Sequence, residues 1–240
     1  MHSKIVVAQQ FRGPPNSGNG GYVCGLMAAR IDGVATAMLR APPPLDTPLD
    51  LALEDGVVRI LDAAGTLVGE ARPGEAAALP SPPPPPSLAA ATAAAAGFPG
   101  LHRPFHPVCF TCGDQLDDGF GLRVFAGQVE GMADGVVAGP WVPHPNFADA
   151  EGLAPIEVVW AALDCPGSVA WVVTEGGGGL LGTMTGQVLR RPAVGETTIV
   201  AAWPIEQSGR KRISGTALYS TAGDLMALSH QIWIGRPAAG

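Results

Sequence analysis

The sequence has little positive charge and no long basic stretch. Lysine and arginine together number 14 against 21 aspartates and glutamates in 240 residues, and the longest basic block is Arg210-Lys211-Arg212. A chain with a formal net charge of −7 does not attract a polyanion, so we expect no nucleic-acid partner. Aromatic residues are also scarce, at 6%, but hydrophobic residues reach 47%. The chain can therefore bury a sizeable core and does not have a disordered composition.

Long apolar runs are not apparent either. Residues 1–15 lack the uninterrupted apolar stretch and the small-residue cleavage site of a signal peptide. The alanine-rich segment 88–98 is too short to span a bilayer, which takes about 20 apolar residues. From these absences we expect a cytoplasmic protein without a membrane partner.

Cysteine is sparse, and four residues predict reduced thiols rather than a disulfide framework. Cys24 and Cys165 lie in apolar runs and are predicted to be small buried hydrophobes. The spacing His106-x2-Cys109-x2-Cys112 offers side chains that zinc accepts, but no second pair completes a familiar zinc pattern. We therefore interpret this segment as a turn into a strand and expect no metal site and no organic cofactor, while zinc binding by these three residues stays open as a minority hypothesis.

Glycine and proline, by contrast, are abundant, with 33 and 24 residues, which favours many turns around short strands. Segment 79–100 contains five consecutive prolines followed by an alanine tract, a composition that predicts a linker rather than strands or a packed core. This linker divides the chain into two predicted domains, residues 1–78 and residues 101–240.

The two predicted domains share one order of elements, a strand and a helix followed by several strands. In the first domain we predict a helix over 22–30 and strands over 4–11, 33–40, 49–54, 57–62 and 67–71. In the second we predict a helix that opens at Pro155 and ends at Pro166-Gly167, with strands over 121–126, 135–141, 169–173, 181–190, 197–205, 211–220 and 225–234. The pattern predicts an α+β fold.

Three segments of the second domain resemble one known family. The segments CFTCGDQLDDGFGLRVF (109–125), EVVWAALDCPG (157–167) and 189–234 are similar to phenylacetate-type members of the hot-dog thioesterase superfamily. The resemblance implies two tandem hot-dog domains that form a pseudo-dimer, each a curved antiparallel sheet around one central helix. The first domain matches by its layout and an Asn-Gly-Gly, and is the degenerate one.

The resemblance also implies a catalytic site at the start of the central helix. In the family a His-Gly-Gly presents backbone N–H groups to the thioester carbonyl, and a carboxylate nine positions later acts as nucleophile or base. Asn19-Gly20-Gly21 occupies the donor place in the first domain, but the ninth position holds Ala28. Asp164 fits the acid position in the second domain, where the glycines are missing. These two half motifs predict either one composite site or no site.

Each candidate residue also has a purely structural interpretation. Asn19, Gly20 and Gly21 also suit an N-cap and a turn, and Asp164 also suits a helix end that bonds nearby N–H groups. Glu157, seven residues before Asp164, is a second acid candidate, although the first turn of a helix favours acids in any case. The resemblance places arginines at strand ends as contacts for coenzyme A phosphates, although solvated charges there are common. These are Arg190, Arg191, Arg210 and Arg212.

We therefore expect a thioesterase-like protein that hydrolyses or binds acyl-CoA thioesters. Its expected partner is a small-molecule acyl-CoA, and the fused chain could also form a homodimer. One alternative is a non-catalytic double hot-dog protein that binds acyl thioesters or is structural. A hydratase or dehydratase on the same fold is a weaker alternative, because no histidine falls in either predicted helix.

Overall fold

The computed structural model describes residues 2–103 and 106–235, so the last five residues of the predicted second domain lie outside it. The described chain forms one antiparallel sheet of 11 strands in the order β1-β3-β4-β5-β2-β8-β11-β10-β9-β7-β6. The strands are β1 (His2–Val6), β2 (Ala35–Leu39), β3 (Pro48–Glu54), β4 (Val57–Leu61), β5 (Leu67–Pro73), β6 (Gly127–Gln128), β7 (Val137–Trp141), β8 (Gly179–Val188), β9 (Thr198–Ser208), β10 (Lys211–Ser220) and β11 (Leu225–Gly235). The helices are α1 (Gly20–Ala28), α2 (Leu88–Ala95), α3 (Pro99–His102) and α4 (Ile156–Glu175).

The sheet contains the same strand order twice. The first half reads β1-β3-β4-β5-β2, and the second half, read inward from beside the short edge strand β6, reads β7-β9-β10-β11-β8. In each half a long central helix, α1 or α4, follows the first of these strands along the chain. The halves join where β2 pairs with β8, and the Thr36 and Thr185 hydroxyls are 2.9 Å apart across that joint. The predicted α+β fold with one large antiparallel sheet is confirmed.

Two glycines on α1 allow it to approach α4 closely. A Cβ on Gly25 would lie 2.4 Å from the Cα of Glu157, and a Cβ on Gly21 would lie 2.6 Å from the carbonyl oxygen of Trp160. Residues four apart share one face of a helix, so both glycines face α4. Their contact sets the start of α1 against the middle of α4.

Helix α4 is longer than the sequence predicted. The prediction of an end at Pro166-Gly167 and a strand over 169–173 is wrong, because the helix continues to Glu175 with Pro166 inside it. It ends at Gly176, whose φ of 69° places it in the left-handed region that favours glycine. The predicted strand is therefore the last turns of the central helix.

Side chains from outside α4 donate hydrogen bonds to the turn before Pro166. Proline lacks the N–H that would bond four residues back, and its ring crowds the preceding turn. The carbonyl that loses its helical donor is that of Ala162, and the carbonyls on either side of it accept hydrogen bonds from neighbouring segments. Thr111 Oγ1 donates to the Ala161 oxygen at 2.7 Å, and Gln231 Nε2 donates to the Leu163 oxygen at 2.7 Å. These buried donors hold the turn on either side of the Ala162 oxygen.

The same helix corrects the expectation that no segment is apolar enough to cross a membrane. By length and composition α4 meets that test, with a mean hydropathy of 1.4 over 18 residues. In the structure 67% of that window is buried within the fold, as in the core helix of a folded domain. The apolar character of α4 is explained by its packing between α1 and the sheet.

The alanine tract after the prolines is also structured. It forms α2, capped by the Ser87 side chain, and it packs on β7 with Ala91 and Ala94 buried. The prediction that segment 79–100 supplies no packed core is wrong for this tract, since alanine has the highest helix propensity and its small side chain allows close packing. The proline run itself adopts neither helix nor strand. The domain boundaries and the linker assignment stay predictions.

One predicted strand of the second domain is absent from its place. Residues 121–126 form no strand, although Leu122 and Val124 donate backbone hydrogen bonds to Phe110 and Thr111. The short β6 follows instead, paired with β7 at the edge of the sheet. The segment is therefore held by the turn around Cys109 rather than by the sheet.

Candidate functional site

Asp164 lies in the middle of α4, and only 3% of its surface is exposed. Its Oδ2 accepts a hydrogen bond from the backbone N–H of Gly21 at 3.0 Å. Its Oδ1 is buried and has no hydrogen-bond partner among the described residues. A buried carboxyl with one bonded and one open oxygen is unusual enough to mark a candidate site.

Burial determines how Asp164 titrates. Desolvation raises the pKa of Asp164 to about 7, while the Gly21 N–H and the Asn19 side chain, which favour the carboxylate, limit the rise. The nearby Cys109 raises it further. A carboxyl with a pKa near neutrality can both take up and release a proton at physiological pH, which is what a general base requires.

The start of α1 forms the other side of the site. Asn19 is the N-cap, since its Oδ1 accepts from the Tyr22 N–H at 2.9 Å, so the structural interpretation of this residue is correct. Its Nδ2 donates to Thr111 Oγ1 at 3.1 Å. Gly21 allows the approach, because a Cβ there would lie 2.6 Å from the Cβ of Asp164.

The structure thus brings the two half motifs together. Asn19-Gly20-Gly21 belongs to the first half of the chain and Asp164 to the second, and a hydrogen bond joins Gly21 to Asp164 across 143 positions of sequence. The N-terminus of α1 carries the positive end of the helix dipole, which favours negative charge beside it. One hydrogen bond therefore joins the two half motifs, and a single composite site stays a prediction. The catalytic role of its residues stays a prediction.

Glu157 lies apart from this site. It is in the first turn of α4, about 10 Å along the helix from Asp164, since seven residues rise by roughly 1.5 Å each. It packs against Gly25, and its negative charge adds to burial in raising the pKa of Tyr22. Its position does not bring it to the open oxygen of Asp164.

The four arginines bond to other groups of the chain. Arg190 pairs with Glu196 at 2.8 Å, and Arg191 pairs with Asp149 and Glu151. Arg210 donates to a backbone carbonyl, and Arg212 pairs with Glu175.

The arginines also fall into two separate pairs. Arg190 contacts Met226 at the start of β11, and Arg210 contacts Gly235 at its end. These ends are about 30 Å apart at roughly 3.4 Å per residue. One phosphate group cannot contact both pairs, and a phosphate role for either pair stays a prediction.

Sequence reasoning missed a group of three thiols beside the site. The Sγ atoms of Cys109, Cys112 and Cys165 all lie within 4.8 Å of one another, and those of Cys109 and Cys165 are 3.5 Å apart. Cys165 is therefore not merely a small hydrophobe. His106, which the sequence paired with Cys109 and Cys112, is not part of this group. No spacing rule connects Cys165 to a residue 56 positions earlier, so only the tertiary structure reveals it.

The three thiols differ in acidity. Hydrogen bonds from the other two thiols and from the backbone N–H groups of Thr111 and Cys112 hold the pKa of Cys109 well below its usual range. The interactions with Cys109 raise the pKa of Cys112 and of Cys165. Negative charge in this group therefore concentrates on the Cys109 sulfur.

Two surface clefts of the described chain do not reach Asp164. One, of about 360 Å³, is lined by residues that include Trp141 and His144, and the other, of about 290 Å³, by residues that include Gln128 and Val173. Asp164 lines neither of them. Since Asp164 Oδ1 is itself buried, a substrate could reach that oxygen only after the groups that cover it have moved.

Comparison with known proteins yields matches in structure only. No family model matches the sequence, and no curated protein matches it. Among solved structures, the TesB protein of Mycobacterium avium subspecies paratuberculosis is 13% identical with a TM-score of 0.64, over 98% of this chain and 93% of that one.

Two further solved structures are similar over nearly their whole length. An acyl-CoA thioesterase II, TesB2, of Mycobacterium marinum is 14% identical with a TM-score of 0.59, over 99% of this chain and 94% of that one. A conserved hot-dog protein of unknown function from Alicyclobacillus acidocaldarius is 14% identical with a TM-score of 0.60, over 99% and 93%. At such identity the likeness shows the fold alone. The chain has the hot-dog fold of solved thioesterases, as the resemblance of its second half implied.

Proposed function

We propose that the chain is a tandem pair of hot-dog domains, residues 1–78 and 101–240, and that the pair forms a pseudo-dimer with one composite thioesterase site. The strand order that both halves repeat supports the pseudo-dimer. The hydrogen bond between Gly21 of the first half and Asp164 of the second supports a single site between them. The first half supplies the N–H groups at the start of α1, and the second half supplies the carboxylate.

The proposed reaction is hydrolysis of an acyl-CoA thioester, with Asp164 as general base. The observation that carries it is the buried, open Oδ1 of a carboxyl whose pKa is raised to about 7. The carboxylate removes a proton from water, and the water oxygen attacks the thioester carbonyl carbon. The carbon–sulfur bond then breaks, and the leaving thiolate takes the proton back from Asp164. No organic cofactor takes part in these steps.

The start of α1 is proposed to stabilise the oxyanion that forms. Backbone N–H groups at a helix N-terminus, together with the helix dipole, favour negative charge, and such donors contribute about 10²-fold or more to the rate. When the thioester carbonyl oxygen binds at the start of α1, the Gly21 N–H donates to that oxygen and no longer to Asp164 Oδ2. The similarity to the acyl-CoA thioesterase II of Mycobacterium marinum supports a coenzyme A ester as the substrate class.

A panel of acyl-CoA thioesters, assayed with a thiol-detecting reagent, tests the proposal. We expect release of free coenzyme A without added organic cofactor, at a rate that rises with pH through about 7, because the base must be deprotonated. A rate that falls over this range, with the enzyme still folded, would rule out a base with this pKa.

One observation favours a second candidate, a non-catalytic protein that binds acyl thioesters. Asp164 is closed off from solvent, and the Gly21 N–H that should meet the substrate is already bonded to it. This candidate predicts that calorimetry detects binding of acyl-CoA by a chain that releases no coenzyme A. Turnover of any ester in the panel decides for the enzyme.

A further inference from the structure

We propose that Cys109, Cys112 and Cys165 bind a zinc ion that ties the turn at 109–113 to helix α4. Their sulfurs come from two segments that are distant in sequence, and all lie within 4.8 Å of one another. Thiolate is a preferred ligand of zinc, and the Zn–S distance is about 2.3 Å. Sulfurs around a tetrahedral zinc are therefore about 3.8 Å apart, close to the 3.5 Å between Cys109 and Cys165.

The backbone of the turn positions two of the proposed ligands, Cys109 and Cys112. The Gly113 N–H donates to the Cys109 oxygen at 2.7 Å, and the Cys109 N–H donates to the His106 oxygen at 3.0 Å. A Cβ on Gly113 would lie 2.6 Å from the Cys109 oxygen, so the tight turn requires glycine. This turn presents Cys109 and Cys112 together toward α4, where Cys165 supplies the third sulfur.

Charge favours zinc over a monovalent soft ion. Three thiolates and one Zn²⁺ leave a net charge of −1, whereas three thiolates around Cu⁺ leave −2 in a group that is largely buried. Polar donors already surround the Cys109 sulfur, including Asn19 Nδ2 at 3.8 Å. Zinc takes four ligands, and we assign the fourth position to a water molecule. Binding releases the thiol protons and involves no oxidation.

The same ion would connect two segments that contact the candidate site. Cys165 follows Asp164 directly on α4, and Thr111, between the other two ligands, donates to the Ala161 oxygen on the preceding turn. A zinc ion would therefore hold the segment that contacts Asn19 against the helix that carries Asp164. We infer a structural role, which is independent of the proposed hydrolysis.

The test uses the reduced full-length chain, loaded with zinc and then dialysed. We expect about one zinc per chain by elemental analysis, and an absorption band from thiolate-to-metal charge transfer when cadmium replaces zinc. Cys165→Ala should weaken zinc binding by more than about 100-fold, since even outer partners of a metal contribute 10–100-fold. Zinc should raise the Tm of the wild type but not of this variant.

Cys24→Ala is the matched control, because Cys24 is a fully buried cysteine on α1 outside the group of three. It should keep about one zinc per chain, as should Asp164→Asn, which separates this proposal from the proposed hydrolysis. Circular dichroism establishes that each variant is folded. The proposal fails if the folded, reduced wild type retains no zinc, if Cys165→Ala binds it as tightly, or if mass spectrometry finds Cys109 and Cys165 joined as a disulfide.

Discussion

The close contact between α1 and α4 makes a quantitative prediction for Gly25→Ala. A Cβ at this position would lie 2.4 Å from the Cα of Glu157, a backbone atom that cannot rotate away. Because ordinary contact begins at 3.4 Å, the two helices must separate by about 1 Å or distort. Overpacking of this kind costs about 1–3 kcal/mol, and a backbone clash belongs near the upper end.

Two opposing effects set the size of the change. Alanine stabilises a helix interior by about 1 kcal/mol relative to glycine, so the net loss is about 2 kcal/mol. For a chain of this length each 1 kcal/mol lowers Tm by about 2–4 °C, and scanning calorimetry should therefore show a decrease of about 4–8 °C. Gly97→Ala is the control, since the nearest atom to its new Cβ is 3.4 Å away, and its Tm should change by no more than about 2 °C. A Gly25→Ala protein as stable as the wild type would refute the described helix contact.

Two further predictions concern buried polar groups. Because burial raises the pKa of Asp164 from 3.8 to about 7, the folded state binds its proton more tightly, and this stabilisation is lost as pH rises from about 4 to 7. Denaturant unfolding should give the free-energy difference between Asp164→Asn and the wild type at pH 5 and at pH 8. We expect this difference to shift in favour of the variant by a few kcal/mol between the two pH values, and an equal difference at both would contradict the assigned burial. Gln231→Met removes the donor to the Leu163 oxygen and the acceptor of the Trp233 Nε1–H and should cost about 1–3 kcal/mol, whereas an unchanged unfolding midpoint would show that α4 does not need this side chain's bond.

Local patterns predicted most of the fold. Alternating apolar residues and turn dipeptides located β2 to β5 within a few residues, because each hairpin is determined by its own turn and its buried face. The strand predicted over 4–11 is too long, since β1 ends at Val6 and Gln9–Phe11 forms a short 3-10 helix. The end of α4 was predicted wrongly for a physical reason. A proline normally stops a helix, and the donors that hold the turn before it here, Thr111 and Gln231, lie far away in sequence. The alanine tract was assigned to the linker from its composition alone. Composition does not show that a short alanine helix can pack on the sheet.

The candidate site was only half predictable. Counting positions identified Asn19-Gly20-Gly21 and Asp164 as incomplete motifs, but the bond between them depends on how the two halves pack. Cys165 carries no sequence signal that links it to Cys109. The resemblance implied that the four arginines contact coenzyme A phosphates, yet β11 separates them into two pairs, each bonded to the chain's own groups.

The most direct test of the proposed function is the turnover of Asp164→Asn on an acyl-CoA thioester that the wild type cleaves. Asparagine keeps the size of the side chain and can still accept from the Gly21 N–H, but it cannot take a proton. We expect kcat to fall by about 10²-fold or more, whereas Glu157→Gln, about 10 Å away along α4, should stay within a few-fold of the wild type. Full turnover by Asp164→Asn would contradict the assignment of Asp164 as the base.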